Sequence, residues 1–226
     1  MTSKPWILGI LICLFVTACN RERPPMQNTE EYSKAHGIVP GQSNEIRVRG
    51  VLFRFPAKYL PIPYTDDKTI IKGQTDKVQV SFFSRSMQVI PNHVPSAFDG
   101  SAVRVEISKY GEESEVLRDR IWAHEKWRSI QDRSDLGLRE YINIRDDGGW
   151  GYRRYEALGP NAKTPRGGRI FISCSGVPGN DPSRCTTSYQ HPLGPVVEYF
   201  FNFDLMPHWR EIHSEVVQLV DSWIAK

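Results

Sequence analysis

Short segments in which apolar and polar residues alternate recur along most of this 226-residue chain. Alternation with a period of two is typical of β-strands that have one buried face. Turn-forming residues separate the segments, as in Asp146-Asp147-Gly148-Gly149, so neighbouring strands are expected to pair antiparallel. The strand-like segments lie at residues 46–55, 68–84, 102–110, 138–144, 150–158, 169–175, 184–190 and 196–203, and segment 68–84 is expected to be a hairpin that turns at Gln74-Thr75-Asp76. They predict a largely antiparallel sheet of about seven or eight strands.

Two segments have the 3.6-residue period of an amphipathic helix instead. Residues 112–132 begin with acidic side chains and carry apolar residues at intervals of three or four. Residues 207–225 begin with Pro207, which suits a helix start. One face of that second helix collects the apolar residues Trp209, Ile212, Val216, Leu219, Val220 and Trp223. The predicted fold class is therefore α+β, with at least two packed helices that include an amphipathic C-terminal helix.

The amino terminus has the layout of a secretory signal, with Lys4 followed by an apolar run from Trp6 to Ala18. This run is too short to span a bilayer, which needs about 20 apolar residues. It ends in Val16-Thr17-Ala18-Cys19, which resembles the bacterial lipobox. The resemblance implies cleavage before Cys19, a diacylglyceryl group on its sulfur and acylation of the new amino terminus. Asn20 follows the cysteine and favours the outer membrane, facing the periplasm.

Three regions follow from this leader. Residues 1–18 are predicted to be the lipoprotein signal peptide. Residues 19–45 are polar, contain three prolines and lack an apolar period, so we expect a lipidated tether. Residues 46–226 are predicted to form a single globular domain. The formal net charge of +3 falls to +2 without Lys4, which gives no reason to expect nucleic acid as a partner.

The four cysteines divide according to this layout. Cys13 leaves with the leader and Cys19 is lipidated, so Cys174 and Cys185 remain as a disulfide pair in an oxidising envelope. Turn formers fill the sequence between them, SGVPGNDPSR, which indicates a loop between adjacent strands. A zinc site or a redox pair is less well supported, because no histidine pair is near and the spacing is not C-x-x-C. The loop either presents a rigid surface or is bridged for stability alone.

Motifs of nucleophilic, nucleotide-binding or zinc-dependent catalysis do not occur in the sequence. The six histidines are scattered, so we predict no catalytic residue, no metal site and no cofactor. A pair of catalytic carboxylates would be defined in space and not by spacing along the chain. We expect a binding protein. An enzyme whose active site has no recognisable sequence motif is the weakest alternative.

The hairpin DDGGWGYRRYEALGP (146–160) is the candidate partner-binding segment. Aromatic residues and arginine dominate binding hot spots, and the candidates here are Trp150, Tyr152, Arg153 and Arg154. Strand alternation places Trp150, Tyr152 and Arg154 on one face, opposite Arg153 and Tyr155. The alternative is an ordinary amphipathic strand, with one face in the core and an arginine packed over an aromatic ring on the other.

Two resemblances concern the whole chain. The segment VRGVLFRFPAKY and the closing helix that runs into VDSWIAK resemble the PsbP-like family, which implies an α/β/α sandwich and no particular activity. The lipobox, the single small domain and the W-x-x-I…V-x-x-L-V-x-S-W helix resemble immunity lipoproteins of type VI secretion effectors, notably phospholipases. That second resemblance implies a membrane-anchored inhibitor that occludes a toxin encoded next to it. The alternative function is an envelope ligand-binding or assembly lipoprotein without catalytic activity.

Overall fold

The computed structural model describes residues 26–27, 29–66, 69–83, 88–89, 102–122, 127, 129–143, 152–175 and 184–225. Two predicted features, the lipidation site Cys19 and Trp150 of the candidate hairpin, lie outside the described residues. Within these ranges, no helix combines the length and the apolar character that crossing a membrane requires.

Helices and strands alternate irregularly along the described chain. The helices are α1 (Glu30–Ala35), α2 (Ser114–Ile121) and α3 (Trp209–Trp223), and a 3₁₀ helix, Phe203–His208, leads directly into α3. The strands are β1 (Asn44–Val48), β2 (Val51–Phe55), β3 (Ile62–Tyr64), β4 (Lys77–Phe83), β5 (Gln88–Val89), β6 (Ala102–Ser108), β7 (Ser129–Arg133), β8 (Leu138–Asn143), β9 (Tyr152–Ala157), β10 (Phe171–Ser175), β11 (Arg184–Gln190) and β12 (Val196–Asn202).

Ten strands form one sheet in which every pairing between strands is antiparallel. Nine of them follow the order β3-β4-β6-β12-β11-β10-β9-β8-β7, and β5 pairs with β4. Strands β1 and β2 form a separate antiparallel hairpin. The α+β class and the antiparallel sheet are confirmed, with more strands than the seven or eight expected.

The helix α3 packs on one face of the sheet, which we call the inner face. The predicted apolar stripe is confirmed, because all six of its residues are buried in the core. Tyr199 on β12 and His213 on α3 join the two layers through a 2.8 Å hydrogen bond between the phenol oxygen and Nδ1. Trp223 closes the end of the core against the rings of Phe55 and Tyr59, with centroid distances of 5.0 and 5.1 Å.

The opposite face of the sheet, which we call the outer face, carries α2. Ser188 Oγ on β11 donates to the carbonyl oxygen of Glu112, just before α2, at 2.9 Å. The Arg118 guanidinium of α2 lies 5.6 Å from the ring centroid of Phe171 on β10. The eight residues of this helix contact β10 and β11. The outer face of β6 and β12 therefore extends beyond the part of the sheet that α2 covers.

Three local predictions were wrong. The hairpin expected over 68–84 does not form, because residues 69–76 form no strand and β4 pairs with β3, β5 and β6 instead. The helix expected over 112–132 ends at Ile121, and Ser129–Arg133 is instead strand β7, paired along its length with β8 through a turn that Gly137 closes at φ 62°. The single strand expected over 46–55 is the β1–β2 hairpin. Its turn residues Arg49 and Gly50 have φ of 51° and 81°, the positive values that a tight two-residue hairpin requires.

The predicted tether over 19–45 is too long at its C-terminal end. Thr29 caps α1 by accepting a hydrogen bond from the Tyr32 backbone nitrogen, and residues up to 45 continue into the fold. Tyr32 and Ile38 are buried, and the Tyr32 hydroxyl accepts a 2.9 Å hydrogen bond from the Thr65 backbone nitrogen. Only two of the four buried residues of this segment are apolar, which is too few to produce an apolar period in the sequence.

We expect Trp223→Ala to lower the free energy of unfolding by about 3–5 kcal/mol, because it empties a fully buried site at the end of the core. Urea denaturation followed by circular dichroism measures the change. Leu193→Ala is the control, since this side chain is exposed and its loss should change stability by less than about 0.5 kcal/mol. A Trp223→Ala loss below that of the control would contradict the packing described.

Candidate partner-binding face

The candidate hairpin residues that the structure describes are divided between the two faces of the sheet. Tyr152 and Arg154 lie on the outer face, and Arg153 and Tyr155 lie on the inner face, as the alternation predicted. The structure therefore does not bring Arg153 together with Arg154. Trp150, the fourth candidate, is outside the described residues.

Arg154 is packed within the outer face and is only 9% exposed. Its guanidinium lies 5.3 Å from the ring centroid of Tyr152 and 5.8 Å from that of Trp122, and it donates a hydrogen bond to Ser173 Oγ. These contacts are the ones that the amphipathic-strand interpretation anticipates. Partner binding by these residues stays a prediction.

Arg153 belongs to a buried cluster on the inner face. Its guanidinium lies 3.7 Å from Glu140 Oε1 and 5.7 Å from the ring centroid of Phe203. Glu140 is buried and accepts a 2.8 Å hydrogen bond from the Tyr155 hydroxyl, and burial followed by this contact raises the pKa of Tyr155. The positive charge of Arg153 compensates the buried carboxylate of Glu140, so Arg153 is placed where it stabilises the core.

Aromatic rings cluster on the outer face where α2 ends. Trp122 is the centre of this cluster, with ring centroids at 5.2–5.8 Å from three neighbours, Trp127, Tyr141 and Phe171. A cavity of about 200 Å³ lies beside the cluster, between α2 and the strands β10 and β11. The sequence analysis missed this cluster, because it placed residues 127–130 in a helix.

Two arginines flank one ring in the middle of the outer face, and we call Arg104 and Arg184 the arginine pair. Phe200 on β12 lies directly opposite Arg104 on β6, and Arg184 comes from the other neighbouring strand, β11. The Cζ atoms of both guanidinium groups lie 4.3 Å from the ring centroid of Phe200. Cation–π contact at this distance holds both groups against the sheet.

Two glutamates lie beside the arginine pair, and we call Glu106 and Glu198 the carboxylate pair. They face each other directly across β6 and β12. Lys77 Nζ donates to Glu106 Oε2 at 3.1 Å, and Arg104 Nε lies 3.5 Å from Glu106 Oε1. Thr186 Oγ1 donates to Glu198 Oε1 at 3.1 Å. Both pairs together give the outer face adjacent patches of opposite charge.

Glu198 is the more perturbed member of the carboxylate pair. Burial raises its pKa, and the negative charge of Glu106 adds to this effect. The Thr186 hydrogen bond and the positive charges of Lys77 and Arg184 act in the opposite direction. A cavity of about 620 Å³ lies against both carboxylates and continues past the start of α2.

The predicted disulfide is confirmed, with Cys174 and Cys185 bonded directly across β10 and β11. Both cysteines are buried in the core. Arg184 immediately precedes Cys185, so the bond fixes the strand end from which Arg184 reaches Phe200. The segment between the cysteines lies mostly outside the described residues.

A third cavity, of about 640 Å³, lies on the other side of the sheet between the segment 158–165 and α3. Its walls include the apolar side chains of Ile170, Trp209 and Val217, and Lys163 and Arg210 stand among the lining residues. His213 also lines it, and burial lowers the pKa of this imidazole, offset in part by a hydrogen bond to the Lys163 backbone. Across the described ranges, no three histidine, cysteine or acidic side chains converge as metal ligands.

The fold and the site define a class of protein: an α+β fold with one large antiparallel sheet, whose outer face is partly open and carries both charges. No protein-family model matches the chain, and no curated protein sequence matches it. One similar solved structure is that of Smlt3025, described as an immunity protein of the Stenotrophomonas maltophilia type IV secretion system. The two align with a TM-score of 0.53 and 14% sequence identity, covering 82% of this chain and 94% of that chain. The likeness shows a shared fold.

Replacing both Cys174 and Cys185 by Ser should lower the free energy of unfolding by about 2–3 kcal/mol, because the bond closes a short loop in the unfolded chain. Urea denaturation of the oxidised protein and of the variant measures the difference. The unchanged protein under reducing conditions is the control and should lose the same amount. Equal stability of oxidised and reduced protein would contradict a structural role for the bond.

Glu198→Gln should stabilise the protein at pH 7–8. Because the folded-state pKa of Glu198 lies above the ordinary glutamate value of 4.5, folding favours its protonated form. The stabilising contribution of that proton is complete below pH 4.5 and is lost as the pH rises through the folded-state pKa. The variant should therefore exceed the wild type in urea midpoint at pH 7.5 and match it at pH 4.

The control for this comparison is Glu45→Gln, on an exposed ion pair with Arg54. It should shift the midpoint little at either pH, because exposed pairs contribute little to stability. A Glu198→Gln variant less stable than the wild type at pH 7.5 would show that the carboxylate is stabilising in the fold.

Proposed function

We propose that this protein is an envelope-anchored immunity protein that binds a toxic effector and neutralises it by steric occlusion. The observation that carries the proposal is the fold shared with Smlt3025, which is itself described as an immunity protein and aligns over 94% of its length. The outer face supports it, since arginine and aromatic residues with half-buried charges are typical of interaction surfaces.

The anchor is the second part of the proposal. Lipidation at Cys19 would hold the domain at the outer membrane, facing the periplasm. The Gln27 side chain already bonds to the Thr65 carbonyl oxygen of the domain, which leaves residues 19–26 as the tether. A flexible chain of that length has a reach of roughly 14–17 Å. The Cys174–Cys185 bond agrees with an oxidising compartment.

The identity of the effector is the finest part of the proposal. The resemblance to type VI immunity lipoproteins favours a phospholipase, whose substrate is the membrane to which the inhibitor is attached. Attachment raises the local concentration of inhibitor at the surface that such an enzyme must reach. The description of Smlt3025 names a type IV secretion system. The proposal therefore concerns the neutralisation of the effector and not the secretion system that delivers it.

We expect the full-length protein to protect a bacterial host against the product of the neighbouring gene when that product is exported to the periplasm. Protection is measured as the recovery of colony counts, and binding is measured by calorimetry with the lipoprotein purified in detergent. A complex with a Kd in the nanomolar to micromolar range is expected. Cys19→Ser should reduce protection more than it reduces binding, because it removes the anchor and leaves the domain unchanged. Absence of both complex and protection would contradict the proposal.

A second candidate function is an envelope ligand-binding or assembly lipoprotein, and the cavity beside α3 is the observation that favours it. Its apolar walls with Lys163 and Arg210 among the lining residues suit a ligand that has an acidic head and an apolar body. Mass spectrometry of ligands extracted from the purified protein distinguishes the two functions. A stoichiometric ligand together with no effector binding would replace the first proposal by the second.

A further inference from the structure

The arginine pair has hydrogen-bonding capacity that the described fold does not use. Each guanidinium has five N–H donors in its plane, and stacking on an aromatic ring occupies only its flat faces. Among the described residues, Arg184 makes no hydrogen bond and no ion pair within 4 Å, and the one ion pair of Arg104 is its 3.5 Å contact with Glu106. The Arg104 Nε is buried and has no hydrogen-bond partner there.

Both guanidinium groups are held in place before any partner arrives. Arg104 and Phe200 are directly paired residues of two long central strands, and Arg184 is adjacent to the disulfide at Cys185. The Arg104 side chain is 21% exposed, so its environment is partly desolvated. Charge-assisted hydrogen bonds formed in such a setting lose little conformational entropy and are stronger than those on an open surface.

The two positive charges also repel each other. Burial lowers the pKa of Arg184, and the charge of Arg104 adds to this effect, while Glu106 and Glu198 offset it in part. An anion bound between the two groups would reduce this repulsion and would accept hydrogen bonds from donors for which the described residues provide no acceptor. The arrangement therefore favours a planar anion with two acceptor oxygens.

We propose that Arg104 and Arg184 form the site at which a carboxylate of an acidic segment of the effector binds. This inference rests on the proposed function and adds to it the surface used and the chemistry of the partner. The carboxylate would accept hydrogen bonds from both guanidinium groups above the edge of Phe200. The surrounding outer face, including the carboxylate pair, would face basic or hydrogen-bond-donating groups of the same partner.

The carboxylate pair is the reason to favour a protein segment over the phosphates of a membrane. Glu106 and Glu198 lie on the same strands as Arg104 and Phe200, two residues away along each strand. A uniformly anionic surface that approaches the arginine pair would also approach these carboxylates, and like charges at close range cost several kcal/mol. A protein surface can present both signs of charge at this spacing.

The test uses the full-length lipoprotein in detergent and the neighbouring gene product as the effector. We expect Arg104→Met and Arg184→Met each to weaken binding about 30-fold or more, because methionine keeps an apolar contact with Phe200 and loses the donors. Arg184→Lys should also weaken binding, since an ammonium group cannot form the two parallel hydrogen bonds. Arg54→Met is the matched control, because Arg54 lies in an exposed ion pair on β2, and it should bind as the wild type does.

The outcomes separate this inference from the proposed function. Wild-type binding with unchanged affinity in all the arginine variants would overturn the inference and leave the immunity function in place. Absence of wild-type binding would count against the immunity function, and a fluorescent tetraglutamate peptide would then test the site. Loss of peptide binding in Arg104→Met and Arg184→Met, but not in Arg54→Met, would support the site, and equal binding in all three would overturn it.

Two further measurements complete the design. If the urea midpoints of the Arg104 and Arg184 variants match that of the Arg54→Met control, a loss of binding is not caused by a loss of folding. Vesicles of phosphatidylethanolamine and phosphatidylglycerol test the membrane alternative. Vesicle binding that depends on the arginine pair, with peptide and effector binding that does not, would overturn the assignment to a protein carboxylate.

Discussion

The burial of the α3 stripe against the sheet determines what each face of the sheet is used for. Trp209, Ile212 and Trp223 are at most 2% exposed, and burial of such side chains stabilises a fold by about 1.5–3 kcal/mol each. The part of the inner face that lies under α3 must therefore be mostly apolar. Because side chains alternate across a strand, the intervening residues of β6, β11 and β12 are directed to the outer face. The short helix α2 covers only part of that face.

The charges on the outer face are difficult to explain by stability. Taking a charge partly out of water costs free energy unless close partners compensate it. Arg184 has no ion-pair partner among the described residues, and Glu198 has a raised pKa, so neither group is well compensated in the isolated domain. By contrast, Glu140 on the inner face is compensated by Arg153, Arg133 and the Tyr155 hydroxyl. The difference agrees with the inference that the outer charges contact a partner.

The sequence was sufficient for the features that depend on local pattern. The α3 stripe, the strands β6 and β11 and the face alternation of Tyr152 to Tyr155 follow from period and composition, and the disulfide follows from the count of cysteines. The β1–β2 turn was missed because Arg49 adopts a positive φ that its side chain does not signal. The docking of residues 29–45 was missed because its four buried residues, Tyr32, His36, Ile38 and Asn44, form no apolar period.

The arginine pair was missed for a different reason. The alternation in AVRVEIS and VVEYFFN places Arg104 and Phe200 on the polar side of their strands, and this much is visible in the sequence. Their contact depends on β6 pairing with β12, almost a hundred residues later, with α2 and five strands between them. Pairing at that separation is decided by how the whole sheet assembles, and no local spacing encodes it. The candidate site lies where two strands that are far apart in the sequence are neighbours in the sheet.

The position of the chain's amino terminus relative to this site bears on how an anchored inhibitor could act. Gln27 Nε2 donates to the Thr65 carbonyl oxygen just after β3, so the described chain joins the domain at one edge of the sheet. The arginine pair lies on β6 and β11, two to four strands in from that edge, or roughly 10–20 Å at the usual strand spacing. A tether of residues 19–26 would have a similar reach. An effector held on the outer face would thus remain within a few tens of ångströms of the lipid to which Cys19 is proposed to attach. Under the proposed function, occlusion at that distance would require the inhibitor to bind before the enzyme reaches its substrate.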